Sequence, residues 1–509
     1  NSCYVCFTAV ENFLWPYFSI TVFYLGGEEM LFNSLTFIIF LAVVLVLYYT
    51  LPQKLKWIML LIASCIFYMG WRAELIILIV ISTLSNWLLA RLIYDKPEKK
   101  KVFLIISLII NFGLLFVFKY MVFINHSFMW LYDYFGWIYP IKDFDIVLPM
   151  GISFYTFQAA SYTIDVFYGK YKPERNYFKL SLFIMFFPQL VAGPIERADR
   201  LLGQLFTKHK LELENISQGA KLMLMGYFKK IVIADRASVL VDTIYNSPQE
   251  YKGLPLVVAT LFFTVQIYCD FSGYTDIARG VAKLMGIDLM INFDRPYFSK
   301  NIKEFWRRWH ISLSSWLRDY IYIPLGGSRC SLIKKYRNIM ITFLASGLWH
   351  GANWTFVLWG GLHGLYQVIG DLKNKIIPVK KDFFVINIFR VIICFALVAF
   401  AWIFFRANTI SDAIYIVKNI FAGWGNITDL QYLYVTFNNM GLKLFEILIL
   451  SIAILFLIFT EVISFKYDIH KLLNKGPFVF RFAYYYILAC FIFMMGVFAG
   501  GGQFIYFQF

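Results

Sequence analysis

Apolar runs recur along nearly the whole chain, separated by short polar loops, at 31–50, 57–71, 74–94, 102–124, 146–167, 178–192, 219–241, 255–270, 338–371, 387–405, 443–464 and 480–500. Inside a bilayer every backbone N–H and C=O must find its partner within the protein, so only helices and closed barrels can span it. Long runs without apolar–polar alternation are helical. They exclude a water-soluble globule and predict an all-α polytopic membrane protein with about eleven transmembrane or re-entrant helices. Several runs are shorter than the roughly twenty residues of a full span. Those are expected to be re-entrant or broken within the protein, where backbone is shielded from lipid. The run 338–371 holds two helices and should break near His350.

Loop charge orients the chain. The net charge is +16, but Lys and Arg collect in short loops, which is the pattern of cytoplasmic loops and implies no nucleic-acid partner. Lys54 and Lys56 follow the first run, and Lys96, Lys99, Lys100 and Lys101 follow the third. Both loops lie inside if the first helix starts outside. The aromatic loop 125–145, with Trp130, Tyr134, Trp137 and Tyr139, then falls outside. Residues 1–29 hold no Lys or Arg and so lack the basic start of a secretory signal. They read as an N-terminal extension before Met30, which opens the first apolar run. The Cys3-x-x-Cys6 pair within them is isolated, and the six His show no zinc-ligand spacing, so neither a metal nor a bound cofactor is expected.

Chemistry concentrates between Asn301 and Trp354. One stretch reads N-I-K-E-F-W-R-R-W-H-I-S-L-S-S-W-L-R-D-Y-I-Y-I-P-L-G-G-S-R and contains His310; a second reads S-G-L-W-H-G-A-N-W and places His350 at the end of the apolar run Asn338–Trp349. An ionisable side chain at membrane depth is costly and points to function, and His is the side chain best suited to moving protons near neutral pH. Nine Lys and Arg between Lys300 and Arg337, interleaved with Trp306, Trp309, Trp316 and Tyr320, suggest an amphipathic segment at the inner interface. It fits a plain cytoplasmic loop, and equally a surface for the phosphates of a cytosolic donor.

Two further polar clusters interrupt apolar surroundings. Gln266-Ile267-Tyr268-Cys269-Asp270-Phe271-Ser272-Gly273-Tyr274-Thr275-Asp276 is expected to hold a broken helix together, with Asp270 and Asp276 paired to Arg279 or Arg295. Phe187-Pro188-Gln189-Leu190-Val191-Ala192-Gly193-Pro194-Ile195-Glu196-Arg197 cannot be a regular helix. It should turn at the membrane face, with Glu196 and Arg197 as a local pair. No phosphate-binding loop or nucleophile elbow occurs.

These motifs resemble the membrane-bound O-acyltransferase superfamily, and within it the bacterial alginate and peptidoglycan O-acetyltransferase membrane proteins. The resemblance runs from Met30 onward and includes F-P-Q-L-V-A-G-P-I-E-R, C-D-F-S-G-Y-T-D-I-A and the closing F-I-Y-F-Q-F. It implies a single membrane domain over 30–509, with helices around a central tunnel in a bacterial cytoplasmic membrane. It further implies that an acetyl group enters from a cytosolic thioester, acetyl-CoA, and passes to an extracytoplasmic polysaccharide through an esterase-like or acyltransferase partner protein. The position matching His350 is the catalytic one, and that matching His310 lies nearer the cytosolic mouth.

The substrate-binding set drawn from the motifs is Arg307, Arg308, Trp309, Arg318, Asp270, Ser272, Asn353 and Trp354. Asn353 or nearby backbone N–H groups would meet the oxyanion. The segment Gly500–Phe509 resembles the end of a small protein of the D-alanyl transfer system, so Tyr506 would relay the acyl group. Two other functions remain open at this point: D-alanyl transfer to teichoic acid, and a flippase or exporter that makes no bond. An exporter more often carries internal repeats, and none is visible.

Overall fold

The computed structural model describes residues 30–144, 146–376, 383–465, 477–498 and 504–505. Tyr506, the Cys3/Cys6 pair and the extension 1–29 lie outside the described residues. Every regular element among those described is helical. Six stretches are long and apolar enough to cross a membrane: Ala73–Asp95, Pro97–Tyr134, Leu254–Leu284, Phe384–Arg406, Leu444–Ile463 and Phe478–Met495. The others are shorter or more polar, and the short apolar helix Leu35–Thr50 still exposes Leu35, Ile38, Ile39 and Val46. Outward-facing positions are aliphatic or aromatic; Ile109 is 65% and Phe493 76% exposed, the surface a lipid tail would cover.

Two apolar cores fill the interior. The first gathers side chains from the N-terminal helices up to Leu205, the second half of Leu254–Leu284, and Leu313, Trp316, Leu317 and Trp349. The second runs from Phe228 to Ile505 and holds Trp306, Trp309, Trp359 and Trp402. Helices in lipid gain little from apolar contact alone, so close approach and buried polar bonds hold them together. Asn86 shows this within the first half. Its Oδ1 accepts from Thr163 Oγ1 at 2.7 Å, Ser107 Oγ at 3.0 Å and Asn111 Nδ2 at 3.0 Å, which ties three helices through one amide.

The expected break around Ser272–Gly273 does not occur. Leu254–Leu284 is one continuous helix of 31 residues, about 46 Å long. Gly273 serves close packing instead. A Cβ there would lie 2.8 Å from Gly226 O on the helix Leu213–Tyr227, and one on Gly226 would lie 2.7 Å from Gly273 O. The nearby carboxylates are satisfied from the π-helical turn Phe228–Ala234. Lys230 Nζ reaches Asp270 Oδ1 at 2.6 Å, and Lys229 Nζ reaches Asp276 Oδ2 at 2.8 Å. Arg279 does meet Asp276, at 3.4 Å, whereas Arg295 pairs with its neighbour Asp294 at 2.6 Å.

Two other local expectations also change. Glu196 accepts the Met290 N–H and Arg197 reaches Asp319 at 3.5 Å, so the two do not form the local pair. The loop 125–145, expected outside, is helical as far as Tyr134. The break near His350 is present: Leu332–His350 ends, Gly351–Asn353 turns, and Trp354–Ile376 returns.

Candidate active site

His350 is the last residue of its helix, about 18 Å along the axis from Asn338, and only 2% exposed. A helix leaves its last four carbonyls without intrahelical donors, and here all four are accounted for. Gly351 N–H donates to Gly347 O at 3.3 Å, and Tyr120 OH donates to Leu348 O at 2.8 Å. Lys119 Nζ donates to Trp349 O at 2.7 Å and His350 O at 3.2 Å, and also to Ser153 Oγ at 3.2 Å. Lys119 and Tyr120 sit together on the π-helical turn Phe116–Tyr120, and such turns recur at functional sites. A cation at a helix C-terminus also opposes the negative end of its dipole. The His350 backbone is therefore fixed from a helix 230 residues away in sequence.

Aromatic rings hold the imidazole. His350 stacks on Trp359 at 4.8 Å between centroids and meets Phe405 edge-on at 5.6 Å. Trp359 also contacts His363 at 5.0 Å, whose Nδ1 accepts from Trp306 Nε1 at 3.2 Å. These contacts exclude bulk water around a group that can take up or release a proton.

The centroid of the His310 ring lies 6.2 Å from that of His350. The basic segment, expected as one amphipathic stretch, does not stay at the protein surface throughout. It divides into Ile302–Arg308 and Ile311–Leu317, and the joint between them, Trp309–His310, is buried. His310 takes φ 44°, in the left-handed region that non-glycine residues seldom occupy. Holding such a residue there costs about 1–3 kcal/mol, and residues of this kind gather at functional sites. Asn292 supplies the constraint: its carbonyl accepts Ile311 N–H at 2.9 Å and its side chain accepts Ser312 N–H at 3.2 Å. His310 thus stands buried beside His350.

The remaining expected residues fall in three places. Arg307 and Arg318 are exposed, and Arg308 is tied to Glu304 at 2.9 Å. Trp309 is fully buried against Phe305, Phe293 and Trp402, as packing rather than as a surface for substrate. Asp270 and Ser272 are buried in Leu254–Leu284, where Asp270 is engaged by Lys230. Asn353 starts the returning helix: its Oδ1 accepts Thr355 N–H at 3.1 Å and its Nδ2 donates to Asn408 O at 3.3 Å. Both ends of that amide are occupied structurally. Trp354 is 52% exposed and bonds Ser127 Oγ at 3.2 Å, so it faces away from the histidine cluster.

Lys119 and His363 were not singled out from the sequence. Lys119 carries the same signal as His350, an ionisable side chain inside an apolar run, and the rule applied at one finds the other.

The sequence model of the membrane-bound O-acyltransferase family matches residues 174–407, a stretch that contains both His310 and His350. A probable alginate O-acetylase of Pseudomonas aeruginosa is 36% identical over 427 residues, covering 83% of this chain and 81% of the relative. A peptidoglycan O-acetyltransferase of Helicobacter pylori is 34% identical over 427 residues, covering 77% and 80% respectively. A teichoic acid D-alanyltransferase of Bacillus subtilis is 29% identical over 243 residues, covering 45% of this chain and 61% of the relative.

Proposed function

The chain belongs to the membrane-bound O-acyltransferase family, and on that premise we propose that it moves an acetyl group from cytosolic acetyl-CoA to an extracytoplasmic polysaccharide hydroxyl, with His350 as the base. Its setting would be a bacterial cytoplasmic membrane. The observation that carries this reading is the buried His350–His310 pair within the family match, in a chain similar over most of its length to two O-acetyltransferases.

The residues of the site support this chemistry. A hydroxyl attacks a thioester slowly until a base takes its proton, and a positioned His contributes about 10²–10⁴-fold. His350 accepts that proton as the hydroxyl oxygen bonds to the acetyl carbon. The C–S bond then breaks, and the CoA sulfur leaves with the proton returned by the imidazole. The aromatic surround keeps water from competing as nucleophile. His310, held beside His350 by its constrained backbone, would orient the thioester or share the proton. Arg307 and Arg318, both exposed, are suited to the CoA phosphates at the cytosolic face.

The polymer is too large to enter the protein interior, so a small hydroxyl must carry the acetyl group outward. Tyr506 is the carrier in this reading. The hydroxyl attacked at the thioester is then the Tyr506 phenol, and an extracytoplasmic partner moves the acetyl from its ester to the polysaccharide. Acetyl is favoured over D-alanyl because the D-alanyl relative aligns with under half of this chain. Alginate and peptidoglycan are the acceptors named for the relatives, and either fits.

The test supplies radiolabelled acetyl-CoA to inside-out vesicles that hold the protein. Protein-dependent acetyl ester formation is expected. Labelling only from a D-alanyl carrier-protein thioester would replace this reading with the alternative.

A further inference from the structure

Proton transfer at the histidine pair leaves unused a cluster of three deeply placed charges outside that site. Lys230 Nζ lies 2.8 Å from Asp235 Oδ1 and 2.6 Å from Asp270 Oδ1. All three are buried: Lys230 is 7%, Asp235 2% and Asp270 3% exposed. Two carboxylates around one ammonium is an expensive way to join helices, since well-packed apolar residues of similar volume often do as well or better. Charge placed in the interior of a membrane protein calls for another use.

The second oxygen of Asp270 shows that use. Asp270 Oδ2 accepts the backbone N–H of Ile505 at 2.7 Å, from 235 residues further along the chain. The preceding residue, Phe504, packs its ring 4.7 Å from Tyr274 and 5.8 Å from Phe271, which lie four and one positions after Asp270 on the same helix. Phe504 is 3% and Ile505 4% exposed. They also divide between the two cores: Phe504 belongs to the first and Ile505 to the second. This dipeptide is therefore wedged where the two halves of the protein meet. Phe271 in turn meets His310 edge-on at 4.6 Å, so the wedge adjoins the histidine cluster. Upstream, Val497 N–H donates to Ile231 O at 2.9 Å, beside Lys230 on the same π-helical turn.

We propose that Asp270 and Lys230, with Asp235 behind them, form an intramolecular binding site that seats the segment Phe504–Ile505 between the two halves and so positions the next residue, Tyr506, for the reaction. Asp270 is a positioning residue and touches no reacting atom. The positioning role rests on the Tyr506 relay, Tyr506 being the next residue in the chain. The seat itself stands on residues 504 and 505 alone.

Ile505→Pro removes the backbone N–H that Asp270 Oδ2 accepts and leaves the Lys230–Asp270 ion pair in place, whereas Ile505→Val keeps that N–H. The full chain in detergent is compared by hydrogen exchange of the peptide covering 497–509, and by polymer acetylation in cells. The Val variant should match the parent in both. The Pro variant should exchange that peptide at least ten times faster and lose at least ten-fold in acetylation. The triple variant Asp270→Leu/Lys230→Met/Asp235→Asn, which removes the acceptor and leaves no member of the cluster as an unpaired buried charge, should behave like the Pro variant. Equal exchange in the Pro and Val variants would overturn the seat. Fast exchange with parental acetylation would overturn the positioning role. A failed relay gives a different pattern: Tyr506→Phe would acetylate fully while its peptide stays protected.

Discussion

Replacing Lys119 by Met removes the ammonium that holds the end of the His350 helix while keeping a side chain of similar length and volume. The ammonium donates to Trp349 O at 2.7 Å, His350 O at 3.2 Å and Ser153 Oγ at 3.2 Å. Hydrogen bonds from a charged donor are worth about 1.5–3 kcal/mol net, and a partly buried cation at a helix C-terminus adds up to about 2 kcal/mol. The last turn of the helix thus loses on the order of 3 kcal/mol of local restraint. Burying Met in place of an ammonium removes a desolvation penalty of several kcal/mol, so global stability should change much less than local order. Activity reports the local loss, since misplacing a catalytic group by about 1 Å costs about 10²-fold. We expect kcat for acetyl transfer to fall by about 10²-fold in Lys119→Met, with donor KM within about two-fold. The thermal unfolding midpoint should stay near that of the parent, and Lys119→Arg, which keeps a cation and its donors, should recover part of the rate. Kinetics in vesicles and scanning calorimetry of detergent-purified protein supply both numbers. A parental kcat in Lys119→Met would refute the idea that this contact sets His350, and a collapse in stability equal to the loss of rate would make Lys119 merely structural.

Tyr506→Phe keeps the ring and removes only the hydroxyl; polymer acetylation should be abolished at normal expression, and full acetylation would leave Tyr506 as an anchor. Single Ala variants of Arg307, Arg308 and Arg318 separate donor binding from loop charge: at exposed Arg307 and Arg318 the donor KM should rise with kcat less affected, and an unchanged KM in all three would favour simple membrane orientation. Gly273→Val should fail to fold or lose well over the roughly 1–3 kcal/mol typical of overpacking, because its Cβ would meet Gly226 O at 2.8 Å in rigid backbone; a normally folded variant by size-exclusion profile would contradict that packing.

Local signals were readable in the sequence. The turn at Gly351–Asn353 shows in G-A-N after an apolar run, and His350 stands out as an ionisable residue within one. Partners distant along the chain were not readable. The Asp270–Asp276 cluster looks like a helix break because Asp, Ser and Gly disfavour helix interiors. It continues because Lys229 and Lys230 arrive from another helix and Gly226 lies opposite Gly273. His310 looks interfacial because Lys303, Arg307 and Arg308 precede it and Arg318 follows, with Trp306, Trp309 and Trp316 between them. Asn292 nonetheless folds that joint inward. Asn353 and Trp354 share a motif with His350 but cap and flank the helix that leaves it.

The proposed mechanism depends above all on His350 acting as the base. The direct measurement is acetyl transfer from radiolabelled acetyl-CoA by purified His350→Gln, an uncharged side chain that can hydrogen-bond but cannot take up a proton at neutral pH, beside the parent protein and His310→Gln. Loss of at least 10²-fold in kcat for His350→Gln, with normal insertion and an unchanged unfolding midpoint, is the predicted result. Transfer by His350→Gln at the parental rate would contradict it.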